Sequence, residues 1–396
     1  MKRTPIFLLR GAPALAVAVL LAGCSVVTDL SGSTIPAAPG CREPRGVELI
    51  IGAHRNAPAS ALDSRLECQV ANVVSAGKPV RIVVAAGQPQ LLRVPFLNPQ
   101  GGTIAERALR ARQDLQRIRA AIRTARPDSP GVDDLAALSV AADEARSNGY
   151  PHAELVLIDS GLDDRGALDF TVPGMLAADP AEVVRQLTAS GSLPDLRGFT
   201  AVLVGIGYTA PPQTPLSAKW RSSVTQIWAA VLRSAGAKIE VIPQPGQGSS
   251  VRTWEPVKKI RVPRTPHVQL GRGTTITFTG TSPVRFEPNS TAFVDPADAR
   301  RALMPIARWL GADRSRHSIL EGTTADVGPL SGQRVLARAR ADRVRAVLIA
   351  LGVTRGQITT KGVGSDFPQF VPDRNAAGTL LAGPATLNRS VRITLG

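Results

Sequence analysis

Aromatic residues make up only 4% of the 396 positions, and the chain carries four histidines, three cysteines and, among its 47 basic residues, seven lysines. Each shortage excludes something. A net charge of +16 would ordinarily point to a polyanionic partner. With so few rings, however, there are few stacking platforms for a single strand, and forty arginines among many Ala, Gly and Pro match the composition of a GC-rich bacterial genome. His54, His152, His267 and His317 are scattered without ligand spacing. No Gly-x-Ser-x-Gly, His-Glu-x-x-His or phosphate-cradling glycine loop occurs, so neither a metal, a cofactor nor a catalytic role is expected. Long apolar runs are also missing. The longest at the start, Ala12 to Leu21, has the length of a signal-peptide core and is too short to span a bilayer.

That run follows Lys2 and Arg3 and ends in Leu21-Ala22-Gly23-Cys24. The segment resembles the bacterial lipoprotein signal, in which cleavage precedes a lipid-bearing cysteine. The resemblance implies a signal peptide over 1–23, lipidation of Cys24, and an exported chain facing the cell wall or periplasm. Residues 24–45, rich in Ser, Gly, Pro and Ala, read as a tether. In an oxidising compartment the remaining Cys41 and Cys68 are expected to pair and to staple the first strand-helix unit, two buried thiols being the alternative. Export also removes nucleic acid as the expected partner of the arginines.

From Gly46 strands alternate with helices. GVELIIGAH, PVRIVVAAG, AELVLIDSG, FTAVLVGIGYT and KIEVIPQP are short apolar runs bounded by turn residues, the pattern of a parallel sheet covered on both faces. Helices are expected over 104–126, 133–147, 180–189 and 216–235. In the last, Trp220, Val224, Ile227, Val231 and Ala235 recur at helical spacing, which makes Trp220 and Trp228 core residues. The fold class expected for 46–245 is α/β, a doubly wound, mainly parallel sheet.

The runs AELVLIDSGLDD and PGVDDLAALSVAA make this region resemble the von Willebrand factor A family. That family implies a metal site fed by an Asp-x-Ser-x-Ser motif, a Thr and a further Asp. Asp159 fits the last position, whereas Gly52-Ala53-His54-Arg55-Asn56 and Val132-Asp133-Asp134 replace the others. A hard cation needs several converging oxygens, so the resemblance implies a degenerate domain with no metal. Asp159, Asp163 and Asp164 then read either as a ligand crevice or as loop caps.

Residues 246–272 are rich in Gly, Ser, Pro and basic side chains and read as an extended linker. Over 273–396 strands are expected at 274–279, 284–286, 318–322, 358–362 and 391–395, with helices at 296–309 and 332–351, a small α+β domain. VRFEPNSTAF, LEGTTADVG, LARARADRVRAVLIALGV, KGVGSDFP and LNRSVRITL occur in that order and resemble the OmpA-like peptidoglycan-binding domain. In that family an Asp in a turn takes the ammonium of the stem peptide's diaminopimelate, and an Arg on the next helix takes its carboxylate. The register places the helix arginine at Arg340, whose planar fork suits a carboxylate. The turn aspartate position is Ala325, with Asp326 one residue on. Asn289, Ser290, Thr324, Asn388 and Arg389 are the implied pocket neighbours, while Arg334, Arg338 and Arg345 fall on an outer helix face.

The combined expectation is a lipid-anchored envelope protein, not an enzyme, that binds peptidoglycan through its C-terminal domain. A scaffold docking other envelope proteins, or an enzyme using Asp159, Asp163 and Asp164, are the alternatives.

Overall fold

The computed structural model describes residues 45–97, 102–243, 250–251, 253–264 and 269–396, together with a short antiparallel pair, β1 (Val26–Thr28) and β2 (Thr34–Pro36). Cys24 and Cys41, and with them the lipidation site and one end of the expected disulfide, lie outside the described residues. The fold is mixed α/β, with a mixed sheet in each half.

The N-terminal half holds β3 (Val47–Gly52), α1 (Ser64–Ser75), β4 (Val80–Ala85), β5 (Gln90–Leu92), α2 (Ile104–Thr124), α3 (Asp134–Ser147), β6 (Glu154–Ile158), α4 (Pro180–Ala189), β7 (Thr200–Val204), α5 (Ala218–Ser234) and β8 (Lys238–Ile242). Its sheet runs β5-β4-β3-β6-β7-β8 and is parallel except where β5 pairs antiparallel with β4. β3 is buried along its whole length, which is why VELIIG shows no alternation. One face packs Leu49, Ile51, Ile82 and Val84 against α1 and α2; the other packs Ile50, Val83, Leu155 and Leu157 against α3, α4 and α5. Trp220 and Trp228 are core residues, and the Trp228 indole donates to the Gly161 carbonyl at 2.8 Å.

Helix starts follow from local chemistry. Asp63, Asp133 and Asp179 each accept a backbone N–H three residues on, Thr103 and Glu106 close a capping box, and Pro180 stands at the first position of α4. α1 was expected only as the helix of the first strand-helix unit, without bounds, and β5 was not among the sequence expectations. The spacing of Leu66, Val70, Val73 and Val74 carried the α1 signal, since all four are buried on one face. β5 is three half-exposed residues with little pattern to read.

The C-terminal half holds β9 (Thr275–Phe278), α6 (Pro296–Gly311), β10 (Ser318–Thr323), α7 (Leu330–Ala350), β11 (Ile358–Gly364), α8 (Ala382–Asn388) and β12 (Val391–Leu395). The sheet order is β11-β10-β12-β9, with β10 parallel to β11 and antiparallel to β12. Val284 to Phe286 is not a strand. Phe286 makes only an isolated bridge to Phe293, because the chain turns back at Asn289, whose φ of 49° is left-handed. α8 is an unexpected element inside what read as one long loop.

Two sets of contacts join the halves. Ala382 belongs to the N-terminal core, its N–H donates to Gln186 Oε1 at 2.8 Å, and Gly174 and Gly383 leave no room for side chains where the two backbones meet. The expected extended linker is also packed in its described part: 253–264 lies across the carboxyl ends of the strands as a strap, with Ile260 buried in the core.

Candidate functional site

In the C-terminal half, Gly322 of β10 and Gly362 of β11 are register partners under α7. A Cβ on Gly322 would stand 1.8 Å from the Ala337 carbonyl oxygen, and one on Gly362 would stand 2.3 Å from that of Arg334. The two glycines therefore let the helix backbone rest on the sheet. Ala337, Ala341, Val344 and Leu348 fill the contact, Leu351 is half-buried, and Arg340, one turn from Ala337 and Val344, is carried into the interior. Its outer neighbours Arg334 and Arg338 are exposed, and Arg345 pairs with Asp342 at 3.0 Å.

Arg340 is only 1% exposed. Its Nε donates to the Ser290 carbonyl at 3.0 Å, its Nη2 to the Glu287 carbonyl at 3.1 Å, and its guanidinium stacks 5.3 Å above the Phe286 ring. The Asn289 turn thus serves as the clamp that orients the fork. Burial pushes the guanidinium pKa down to about 10, the nearby Arg389 adds to this, and Glu182 opposes it. The side chain remains a cation at neutral pH. Its third nitrogen, Nη1, is buried and has no partner among the described residues, and the same is true of Thr324 Oγ1.

Arg340 and Thr324 both line a cleft of about 60 Å³ shared with Asn289, Ala325, Gln333 and Arg389. Of the seven expected pocket residues, four therefore meet there. Ser290 contributes its carbonyl to Arg340; Asn388 ties Val371 to Asp373 through its amide. Asp326, one residue beyond Ala325, does not line the cleft: one of its oxygens accepts from Gln333 Nε2 at 2.9 Å and the other faces Arg374 at 3.4 Å. Arg389 is held from outside its own half: Glu182 on α4 binds its two terminal nitrogens at 2.8 and 2.6 Å. That residue had no sequence signal, since its role depends on how the two halves dock.

The second candidate site lies where the N-terminal sheet order reverses, between β3 and β6, the general position for ligands in such sheets. His54 Nε2 lies 2.9 Å from both oxygens of Asp159. Asp134 and Asp163 adjoin them, and both carboxyls are pushed well above the usual range by burial first and by neighbouring carboxyls second. Asp159 moves down instead, because the His54 charge and hydrogen bond, with the Ser160 N–H, outweigh its burial. These residues do not fit a divalent cation: both Asp159 oxygens are committed to an imidazole, and burial with neighbouring carboxyls raises the pKa of Asp134 and of Asp163.

Asp164 serves as a loop staple. Its Oδ1 accepts from Val132 N at 2.7 Å and its Oδ2 from Lys258 N, on the strap, at 2.6 Å. Asn56 donates to the Lys258 carbonyl at 2.8 Å, and the Gln213 amide pairs with both backbone groups of Ile260 at 2.7 and 3.0 Å. Of the two readings of Asp159, Asp163 and Asp164, the bonds favour loop caps: Asp163 and Asp164 accept backbone N–H groups, Asp159 holds His54, and the chain's own strap lies over the loop.

Residues 285–377 match the OmpA family, and the C-terminal half is an OmpA-like domain. Among solved structures, this region is similar to the peptidoglycan-associated lipoprotein from Burkholderia pseudomallei (23% identity over 28% of this chain and 86% of that one, TM-score 0.24). It is similar to the periplasmic domain of Helicobacter pylori MotB (24% identity, 32% and 78%, TM-score 0.26) and to the OmpA-like domain of FopA1 from Francisella tularensis (15%, 31% and 71%, TM-score 0.23). No curated protein matches the chain significantly.

Proposed function

We propose that this is an exported, lipid-anchored envelope protein that binds peptidoglycan non-covalently through its OmpA-like domain. The observation that carries the reading is Arg340: a buried guanidinium, clamped by two carbonyls, with one nitrogen left for a ligand in a cleft of the matched family region. A carboxylate of the wall stem peptide is the complement of that fork. The role is binding and scaffolding, with no catalytic step. The lipid on Cys24 would keep the domain near the wall, so that a modest affinity suffices through effective concentration. A disulfide between Cys41 and Cys68 belongs to the same reading of an oxidising compartment.

For the N-terminal half, the sheet order with its antiparallel edge supports a von Willebrand factor A-like fold whose crevice has lost its ligand. No helix among the described residues is long and apolar enough to cross a membrane.

Sedimentation with purified peptidoglycan tests the main reading. The wild-type chain should co-sediment, and Arg340→Lys, which keeps the charge and loses the fork, should weaken binding about tenfold. A wild type that stays in the supernatant, or an unaffected Arg340→Lys variant, would refute it. Loss of fatty-acid labelling in Cys24→Ala tests the anchor.

A further inference from the structure

The composition of the cleft says more about its ligand than that it bears a carboxylate. Among the lining residues the charged groups are Arg340 and Arg389, and there is no acid. The neighbouring carboxylates lie outside the lining. Glu182 is bound to Arg389 and Asp326 to Gln333 and Arg374, while Asp373 accepts from Asp326 N and Asn388 Nδ2 through Oδ2 and keeps Oδ1 buried without a partner among the described residues. Where a turn acid would stand, Ala325 presents a buried methyl, with Val327 and Leu336 beside it. Against that apolar wall stand two donors without partners, Arg340 Nη1 and Thr324 Oγ1, both in side chains more than nine-tenths buried.

Such a site discriminates by charge. A carboxylate entering it satisfies both orphan donors. An ammonium next to that carboxylate would enter a space with a guanidinium on one side, a methyl on the other and no anion in the lining to offset its lost hydration. An amide at the same position has no net charge to desolvate, and its acyl carbons can lie on Ala325, Val327 and Leu336.

Resting on the wall-binding reading, we infer that the cleft selects stem peptides whose side-chain amine is already acylated, as it is at a cross-link, over those with a free ammonium. The protein would then report on, and hold to, cross-linked wall.

Calorimetric titration of the full chain with two synthetic stem peptides decides this: one with a free side-chain amine, the other identical but acetylated there. At pH 7 the acetylated peptide should bind about tenfold tighter. Ala325→Asp should reverse the order, and Thr324→Val should weaken both peptides while leaving their ratio unchanged. Equal or tighter binding of the free-amine peptide by the wild type overturns the inference and leaves wall binding standing. Binding of neither peptide overturns the wall-binding reading and this inference with it. The wild-type comparison alone suffices should the Ala325→Asp variant fail to fold.

Discussion

Glu182 of α4 grips Arg389, next to β12, through two hydrogen bonds of 2.6 and 2.8 Å, with both side chains buried between the halves of the molecule. A buried pair of this kind adds little net stability when intact, because both ions have lost their water, but it is expensive to break on one side. Glu182→Ala should therefore cost about 3–5 kcal/mol by leaving Arg389 uncompensated. The double variant Glu182→Leu with Arg389→Met should recover most of that loss. Denaturant unfolding of the wild type and the two variants checks both statements, and equal losses in the single and double variants would contradict them.

A second prediction concerns pH. Glu48 on the central strand β3 is fully buried beside Arg81, 2.8 Å away, and burial raises its pKa from 4.5 to about 7 despite that partner. A carboxyl whose folded pKa exceeds its unfolded one binds its proton more tightly in the fold. Stability therefore falls as pH rises from about 4.5 to about 7 and is flat on either side as far as this group is concerned. Glu48→Gln should remove that slope. Unfolding midpoints measured at pH 4.5, 6 and 7.5 should spread less for the variant than for the wild type, the remaining spread coming from Asp134 and Asp163, whose carboxyls are also raised.

The strap should be releasable. Gln213 makes two hydrogen bonds to Ile260, and Asp164 makes one to Lys258. Gln213→Ala should loosen residues 253–264 by about 2 kcal/mol, the worth of two ordinary hydrogen bonds. Trypsin should then cut after Lys258, Lys259 or Arg261 faster than in the wild type, with the time course read by mass spectrometry. Unchanged cleavage would mean that Ile260 burial and the Lys258 bonds fasten the strap without Gln213.

The glycine pair under α7 sets the position of Arg340. Gly322→Ala places a methyl against the Ala337 carbonyl, so the helix must lift. A loss of about 3 kcal/mol is expected from such overpacking, accompanied by weaker peptidoglycan sedimentation at temperatures where the variant is still folded. An Ala substitution at Gly352, which has nothing within 4 Å but a φ of +99°, should lower stability through backbone strain and leave sedimentation intact.

Much of this was readable in the chain itself. Most strand and helix identities in both halves follow from apolar periodicity, β5, α8 and the segment 284–286 apart, and Arg340 is pointed to by the resemblance of the ordered motifs. These are local properties: a buried strand needs VELIIG whatever lies beyond it, and Arg340 occupies its helix face because of residues three and four positions away. The sequence alone also determined that the turn acid is absent, since Ala325 is a matter of identity.

Tertiary structure decided the rest. Asp326 could have substituted for Ala325 until the turn was seen to direct it at Gln333 and Arg374. Asp159 and its neighbours could have formed a crevice until His54, 105 positions away, was found against it and Lys258 over the adjoining loop. Glu182 and Arg389 lie 207 positions apart, and nothing local foretells their meeting. Local spacing specifies which face of an element a side chain takes; only the docking of elements specifies which charge it finds there.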